Sequence, residues 1–259
     1  DLVIQNGWST WDGGGMYNVN SSPTLIRCWF IDNKSKFGGG MHNWKSSPTL
    51  TTCTFENNTA FSNEGSGGGM YNIESDATLT NCIFENNNSA SEGGGMFNQC
   101  WNATSDLTLD GCTFTNNSAR IDGGGMLSSN GYSVTLTDCI FTGNSVNDGD
   151  GGGMWNYDGI FTLTDCIFTS NTANFIGGGI YNSSKCTATL ENCTFENNAA
   201  EKGGGMSYRS SSITIVTTII NCIFQNNNAT LFGAGMYNYW GDPTLTDCAF
   251  TGNIAGENG

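Results

Sequence analysis

One motif recurs nine times along this chain and constrains its fold more than any other feature. Each copy begins with Gly-Gly-Gly-Met or a close variant, continues with an outer residue and usually Asn, and ends with Thr-Leu-x-x-Cys-x-Phe-x-x-Asn. Consecutive anchor residues lie 25 to 30 positions apart. That period is typical of a solenoid, in which each repeat forms one coil that packs only on its neighbours. The anchors are Met16, Met41, Met70, Met96, Met126, Met154, Ile180, Met206 and Met236.

Alternation with a period of two assigns the side chains of each copy to two faces. Met, Leu, Cys and Phe point inward, whereas Thr and the residue after Met point outward. The two residues between Leu and Cys break the alternation and predict a bend. An Asn or Asp before Cys, as at Asn81 and Asp138, suits the left-handed backbone of such a bend. The pattern predicts an all-β parallel solenoid of about nine coils with three short strands per coil.

Asparagine is expected to form two columns inside the solenoid. The Asn after Phe recurs in all nine copies, from Asn33 to Asn253, and a less complete column begins at Asn18. Stacked amides can bond to each other and to the backbone, which satisfies polar groups that burial would otherwise leave unpaired. We interpret both columns as structural rather than as ligand sites.

The pairing of a Gly-Gly-x-hydrophobic motif with Phe-x-x-Asn is similar to the repeat of polymorphic outer membrane proteins and of related secreted right-handed parallel β-helix proteins. The resemblance covers essentially the whole chain. It implies a right-handed parallel β-helix, here read as one domain over residues 1–259, and an extracellular adhesive or structural role at the cell surface.

The charge balance bears on the possible partners. The chain has 8 Lys and Arg against 23 Asp and Glu, which gives a formal net charge of −15. This excess disfavours nucleic acid and anionic membranes as partners. No apolar run approaches the roughly 18 residues that a membrane-spanning helix needs. We therefore predict an extracellular protein with no nucleic-acid partner and no membrane insertion.

The eleven cysteines divide into a column and two outliers. A single line of thiols cannot surround a metal tetrahedrally, and a disulfide between neighbouring in-register strands would be strained. We interpret the column as buried thiols that act as small apolar fillers. Cys100 and Cys186 are expected on loops, three coils apart, where a free thiol and an intermolecular bond both remain open. The column contains Cys28, Cys53, Cys82, Cys112, Cys139, Cys166, Cys193, Cys222 and Cys248.

Few residues suggest catalysis. Asp138 and Asp165 share a column on adjacent coils and resemble a carboxylate pair, although a role in the bend explains them better. The single histidine, His42, has no evident partner in the sequence. Asn147, Asp148 and Asp150 precede a Gly run and offer oxygen ligands for Ca²⁺, but no acidic loop of this kind is repeated along the chain. We predict a non-enzymatic protein that needs no cofactor and no metal.

The residue after each anchor forms an outward row that is mostly aromatic. We predict that its rings are accessible and stack on sugar rings or on a partner strand. The alternative is that aromatic residues simply favour strands. The candidate ligand-facing residues are Tyr17, Tyr71, Phe97, Trp155, Tyr181 and Tyr237.

An outward threonine column is complete in all nine copies. In five coils it extends to Thr-x-Thr, which resembles the flat threonine arrays of β-helical ice-binding proteins. The second column is interrupted by Ile26, Asp110, Glu191 and Ile220. High strand propensity is the other explanation for Thr. The column contains Thr24, Thr49, Thr78, Thr108, Thr135, Thr162, Thr189, Thr218 and Thr244.

Nine Asn-x-Ser/Thr sequences are candidate glycosylation sites. Three of them, at Asn33, Asn87 and Asn182, belong to inner columns and are expected to be inaccessible. The remaining candidates are Asn20, Asn57, Asn102, Asn116, Asn192 and Asn228.

The two ends of the sequence suggest an assembly. Residues 3–6 are predicted to occupy the Phe-x-x-Asn phase of a preceding coil, and the chain stops at Gly259, where the next Gly run would begin. Neither end shows a polar cap, although an open coil is an edge that recruits strands. Either the chain is part of a longer solenoid or its ends stack head to tail into a filament.

The leading prediction is an extracellular structural or adhesive fibre subunit that self-associates end to end and carries glycans. The alternatives are a carbohydrate-binding module and an ice-binding protein.

Overall fold

The computed structural model describes residues 2–101, 104–210 and 217–256 of the 259-residue chain. Throughout these ranges the chain winds as a parallel β-solenoid. Each coil runs from a Met-containing strand to a Thr-Leu strand, then to a Phe-containing strand, and closes through a Gly run. Equivalent strands of successive coils pair in parallel, so three long sheets extend along the axis. The predicted solenoid with three strands per coil is confirmed.

We name the sheets by their inward residues, and the strand bounds below refer to the described ranges. The Met sheet contains Met16–Val19, Met41–Trp44, Met70–Ile73, Met96–Gln99, Met126–Ser129, Met154–Tyr157, Ile180–Ser184, Met206–Ser210 and Met236–Tyr239. The Thr-Leu sheet contains Thr24–Ile26, Thr49–Thr51, Thr78–Thr80, Ser105–Asp110, Tyr132–Thr137, Ile160–Thr164, Thr187–Glu191, Thr217–Ile220 and Thr244–Thr246. The Phe sheet contains Leu2–Gln5, Cys28–Ile31, Thr54–Glu56, Ile83–Glu85, Thr113–Thr115, Ile140–Thr142, Ile167–Thr169, Thr194–Glu196, Ile223–Gln225 and Ala249–Thr251.

Most coils also contain a short fourth strand between the Phe strand and the Gly run. These strands pair into two smaller sheets on the same side of the solenoid. They are Lys34–Ser35, Thr59–Ala60, Asn88–Ser89, Ser118–Ala119, Ser145–Val146, Ala199–Lys202, Asn228–Phe232 and Ile254–Ala255.

The core consists of columns of identical side chains because the strands pair without a register shift at these positions. Phe84, for example, pairs with Phe55 on one side and Phe114 on the other. The rings of neighbouring Phe residues lie 4.6 to 5.1 Å apart and within 8° of parallel. This is the offset stacking that aromatic pairs prefer, and interior Phe side chains such as these are fully buried.

The amides after Phe form a continuous hydrogen-bonded ladder. Asn117 donates from its backbone N–H and from Nδ2 to Oδ1 of Asn144, both at 3.0 Å. Its Nδ2 also donates to the carbonyl of Phe84 at 2.9 Å. The same three bonds recur along most of the column, so each buried amide is satisfied by its neighbouring coils. The predicted inner Asn columns are confirmed.

Two local backbone features allow each coil to turn. The residue before Cys adopts a left-handed conformation, with φ of 52° at Asn81 and 51° at Asp138, as predicted. The first Gly of each run does the same, with φ of 64° at Gly38, where a Cβ would overlap the Met41 carbonyl oxygen. The left-handed φ and the lack of space for a Cβ together require glycine at this position. The tight turn leads the chain from the short fourth strand into the next strand of the Met sheet.

The predicted register of the first coil is wrong by one residue. Ile4, not Val3, pairs with Phe30, so Gly7 rather than Asn6 occupies the ladder position next to Asn33. The Gly7 N–H donates to Asn33 Oδ1 at 2.9 Å. It thereby makes the bond that the backbone N–H of an asparagine makes elsewhere in the ladder. Ile4 fills the Phe position with a smaller apolar side chain, which the sequence motif did not identify.

Candidate functional surfaces

The threonine column is exposed on the outer face of the Thr-Leu sheet. Its members pair directly with one another from coil to coil, as Thr78 does with Thr49 and Thr108. Thr162 and Thr218 are half-buried, and the other seven are exposed. The structure therefore presents a regular line of hydroxyl and methyl groups along the axis.

The aromatic row is mostly covered, and the prediction of accessible ring faces is wrong for three of its six candidates. Tyr71, Phe97 and Tyr181 are only 8%, 4% and 3% exposed. Trp155 and Tyr237 are half-buried, whereas Tyr17 at the first coil is 43% exposed.

Two contacts explain why an outward row is buried. Rings in register pack on one another: Tyr71 stacks on Phe97 with 4.9 Å between ring centroids, and it meets His42 in an edge-to-face contact at 4.8 Å. In addition, the residues just before each Gly run lie against the row, and the Phe37 ring is 5.1 Å from Tyr71. Tyr71, Ile73, Phe97 and Leu127 form a second, smaller apolar cluster, with Phe37 and Trp155 packed on it. We call the outward row of residues after the anchors, from Tyr17 to Tyr237, the covered row.

The covered row is interrupted near the C-terminal end. Ser207 stands in register between Tyr181 and Tyr237, where the other coils have larger side chains. Beside this gap is a cavity of about 310 Å³, lined by Ile176, Tyr181, Lys202, Ser207, Arg209, Tyr237 and Tyr239. A second cavity of about 200 Å³ borders Phe97, Leu127 and Trp155.

His42 has a partner that the sequence did not reveal. Its ring is 3% exposed, and its Nδ1 lies 3.0 Å from Oδ1 of Asp12. The expectation of an outward histidine without a partner is therefore wrong. Asp12 occupies the position before the first Gly run, one coil from His42, so only the coil stacking brings the two together.

Three acidic residues occupy the same pre-Gly position on consecutive coils: Glu92, Asp122 and Asp150. Oδ1 of Asp122 accepts the Asp150 N–H, and Oδ1 of Asp150 accepts the Ile176 N–H, both at 2.9 Å. Burial, and then the charge of Asp122, raise the pKa of Asp150 to about 7. Burial also raises the pKa of Asp122, and that of Glu92, where the Asp122 charge contributes as well. The Asp122 and Asp150 carboxyl groups are therefore tied by hydrogen bonds into the turns that cover the row.

Eight of the nine cysteines in the column are buried as predicted, Cys248 is half-buried, and all eleven cysteines are free thiols. Cys139, for example, is fully buried and donates to the Thr137 and Leu109 carbonyls at 3.3 and 3.6 Å. Cys100 and Cys186 lie in connections between strands, as expected, but both side chains belong to the main core and are 1% and 0% exposed. Burial raises the pKa of the Cys186 thiol to about 12.

Five of the six candidate glycosylation asparagines are exposed: Asn20, Asn57, Asn116, Asn192 and Asn228. The sixth, Asn102, lies outside the described residues. The three sequons expected to be inaccessible, at Asn33, Asn87 and Asn182, are at most 1% exposed.

The carboxylate pair considered in the sequence lies at bends. Asp138 and Asp165 are exposed, each with left-handed φ, at 51° and 54°. No group of three or more His, Cys, Asp or Glu side chains that could hold a metal ion occurs in the ranges that the structure describes. Nor does any helix in those ranges have the length and hydrophobicity to span a bilayer.

A sequence model of the right-handed β-helix region matches residues 107–255, more than half of the chain. The protein therefore belongs to the right-handed β-helix family, and the handedness that the repeat implied is confirmed. The narrower resemblance to polymorphic outer membrane proteins stays a prediction. No curated protein and no solved structure matches the chain.

Proposed function

We propose that the protein is an extracellular β-solenoid with a structural or adhesive role and that it is not an enzyme. The observation that carries the proposal is the burial of its recurring reactive groups. The thiols and amides lie in core columns where they bond to the backbone or to each other. Right-handed β-helix proteins include enzymes as well as structural proteins, so the lack of catalysis is part of the proposal.

The outer faces support a role in the extracellular space. They are regular and acidic overall, with a net charge of −15 for the chain, which opposes binding to nucleic acid or to anionic lipid. Five exposed sequons offer acceptors for glycans. The thiols need no reducing compartment for protection because ten of the eleven are buried.

Location and adhesion are tested on the native cells. Intact cells are treated with a membrane-impermeant biotin reagent and with a protease, and purified protein on beads is offered to the same cells. We expect surface labelling and bead attachment that soluble protein competes away. Labelling only after lysis contradicts the extracellular location, and beads that attach no better than albumin-coated beads contradict the adhesive role.

End-to-end association is also part of the proposal. In the last described coil Leu245 and Phe250 are 40% and 46% exposed, whereas equivalent inner residues such as Leu79 and Phe84 are fully buried. A second copy whose first coil covers these side chains would continue the same columns, which is a heterologous contact that builds a filament.

Electron microscopy and sedimentation at high protein concentration test this contact. We expect rods that lengthen with concentration, and Phe250→Asp should shorten them because a charge would enter the joint. Thr115→Asp, on an outer side of the Phe sheet, is the matched control. A wild-type protein that stays monomeric at every concentration contradicts the association.

Ice binding is a second candidate, supported by the exposed and in-register threonine column. Thermal hysteresis and ice-crystal shaping measure it directly. We expect Thr78→Lys together with Thr135→Lys to abolish both effects, while Thr115→Lys on the Phe sheet leaves them unchanged. Crystals grown with wild-type protein that keep the shape of those in buffer exclude this candidate.

A further inference from the structure

The outer face of the Met sheet carries a second row beside the covered row, and this second row is interrupted at Ser129. Gln99, Ser129 and Tyr157 are consecutive partners in register, and each stands two positions after a member of the covered row. The Ser129 side chain is much shorter than those of its two partners. The cavity of about 200 Å³ includes all three residues in its lining, so it lies where the row has its short member.

Aromatic rings form part of the lining of this cavity, and two of them remain partly accessible. Trp155 and Tyr157 are half-buried, and their rings stack with 5.4 Å between centroids and 10° between planes. Phe97 and Leu127, at 4% and 1% exposed, form the more deeply buried part of the lining. A ligand in the cavity therefore meets the two half-buried rings without having to enter between the stacked members of the covered row.

The charge of the cavity is negative. Among the described residues that line it, Glu92 is the one with a charged side chain, and it is half-buried. No Lys, Arg or His in the described ranges forms an ion pair with Glu92. Burial raises the pKa of Glu92, and the charge of Asp122 raises it further. The ionised carboxylate thus lacks the compensating charge that a bound cation supplies.

A partly buried carboxylate beside aromatic faces suits an alkylammonium ion. The ring faces attract a cation, more strongly where water is excluded, and the carboxylate provides the opposite charge. A metal ion fits less well, because hard cations such as Ca²⁺ need several oxygen ligands and Glu92 is the one carboxylate among the described lining residues. Pockets for drug-sized ligands begin at roughly 300 Å³, so this cavity suits a group of only a few heavy atoms.

We propose that this cavity binds a small organic cation with an alkylammonium group. The alkyl groups pack against Trp155 and Tyr157, over the short side chain of Ser129, and the Glu92 carboxylate neutralises the positive charge. This binding function goes beyond the structural role, and it does not depend on where the protein is located.

Isothermal titration of the whole chain at low salt tests the site with a charged ligand and its neutral counterpart. The pair is choline and 3,3-dimethyl-1-butanol, which has the same shape but a carbon atom in place of the charged nitrogen. We expect choline to bind at least roughly tenfold more tightly. Phosphocholine identifies the source of the cation: weaker binding than choline indicates a free ammonium compound, whereas equal binding indicates a lipid or glycan headgroup.

Two charge variants separate the site from the general attraction of cations to an acidic protein. Glu92→Gln removes the carboxylate from the cavity and should weaken choline binding about tenfold. Asp106→Asn removes the same charge from an exposed position on the Thr-Leu sheet, away from the cavity, and should leave choline binding unchanged. An equal loss in both variants would mean that choline responds only to the net charge of −15 and would overturn the proposal.

A third variant fills the cavity. Ser129→Gln introduces the side chain that the paired Gln99 holds at the same position of the row, so it should keep the fold and abolish binding. Circular dichroism and melting temperature show whether it is folded, and Glu92→Gln decides the question if it is not. Equal binding of choline and its neutral counterpart, unchanged binding by Glu92→Gln or by folded Ser129→Gln, or no choline binding below about 10 mM would each overturn the proposal.

Discussion

The Phe column and the covered row both stack rings along the solenoid axis, yet they differ in regularity. The Phe column holds the same residue in all nine repeats, with planes within 8° of parallel. The covered row mixes Tyr, His, Phe, Leu, Trp and Ser. The angle between its ring planes ranges from 10° for Tyr71 and Phe97 to 88° for His42 and Tyr71.

The difference reflects how each set of rings is enclosed. The Phe column is surrounded on every side by other core columns, so any change of size is felt by two neighbouring coils. The covered row is closed on its outer side only by the turns before the Gly runs, and two cavities border it. Variation is tolerated there, and the row is consequently where this chain differs from coil to coil.

The largest expected effect is the loss of a ring from the Phe column. Phe141 is fully buried between Phe114 at 4.6 Å and Phe168 at 4.8 Å. We expect Phe141→Ala to reduce the free energy of unfolding by about 4 kcal/mol, measured by urea denaturation. Thr142→Ala, on the outer side of the same strand, should change it by less than about 0.5 kcal/mol. A loss below about 1.5 kcal/mol for Phe141→Ala would contradict the rigid enclosure of the column.

Removal of one amide from the inner ladder should cost somewhat less. Asn144→Ala leaves the Asn117 N–H and the Phe114 carbonyl without their partners, which lie at 3.0 and 2.9 Å. We expect a loss of about 3 kcal/mol in the same denaturation experiment. Exposed Asn174 gives the control, Asn174→Ala. Equal stability of the two variants would mean that water satisfies the ladder.

A ring from the covered row should matter less than a ring from the Phe column. Phe97 is 4% exposed, stacks on Tyr71 and borders the cavity of about 200 Å³. Because the neighbouring turn can move in or water can enter, we expect Phe97→Ala to cost about 2 kcal/mol. If Phe97→Ala costs as much as Phe141→Ala, the row is as tightly enclosed as the core and the contrast between them fails.

The smallest effect concerns a carboxyl group in the turns that cover the row, and it depends on pH. The pKa of Asp150 is about 7 in the folded protein against 3.8 for an unperturbed Asp. The folded state therefore binds this proton more tightly, and the free energy of unfolding falls as the pH rises from about 4 to 7. We expect Asp150→Asn, which keeps an acceptor for the Ile176 N–H, to stabilise the protein by about 1–2 kcal/mol at pH 8.

The control for that prediction is built into the pH dependence. At pH 3 the carboxyl is mostly protonated in both states, because this pH lies below both pKa values, so Asp150→Asn should have little effect there. Asp148→Asn changes an exposed carboxyl two residues away and should leave the slope of stability against pH unchanged. A stabilisation by Asp150→Asn that is equal at both pH values would contradict the raised pKa.

The inner half of each coil could be predicted from the sequence. Leu, Cys and Phe keep fixed spacing, and Asn81 or Asp138 before Cys marks the left-handed bend. Fixed spacing is required because each side chain must stack on its equivalent one coil away. For these positions the spacing of the repeat is enough to explain why the residue is required.

The outer side could be predicted only in part. Alternation identifies the face of a side chain, but it does not say what lies over that face. The burial of Tyr71 depends on Phe37, which reaches it through a turn in another coil, and the Asp12–His42 contact joins residues 30 positions apart. The cavity beside Ser207 was missed for the same reason, although a lone Ser in a row of large side chains was a usable signal.

Each of the nine repeats contributes one cysteine to the thiol column. Cys248 is half-buried and the other ten cysteines are buried, so an alkylating reagent added to the folded protein reaches each of these ten sulfurs only when its own coil opens. Labelling rates, resolved peptide by peptide in a mass spectrometer, therefore read out how far opening has spread along the axis. The small thiol side chains that fill the core therefore also mark each coil chemically, so that unfolding of the solenoid can be followed coil by coil.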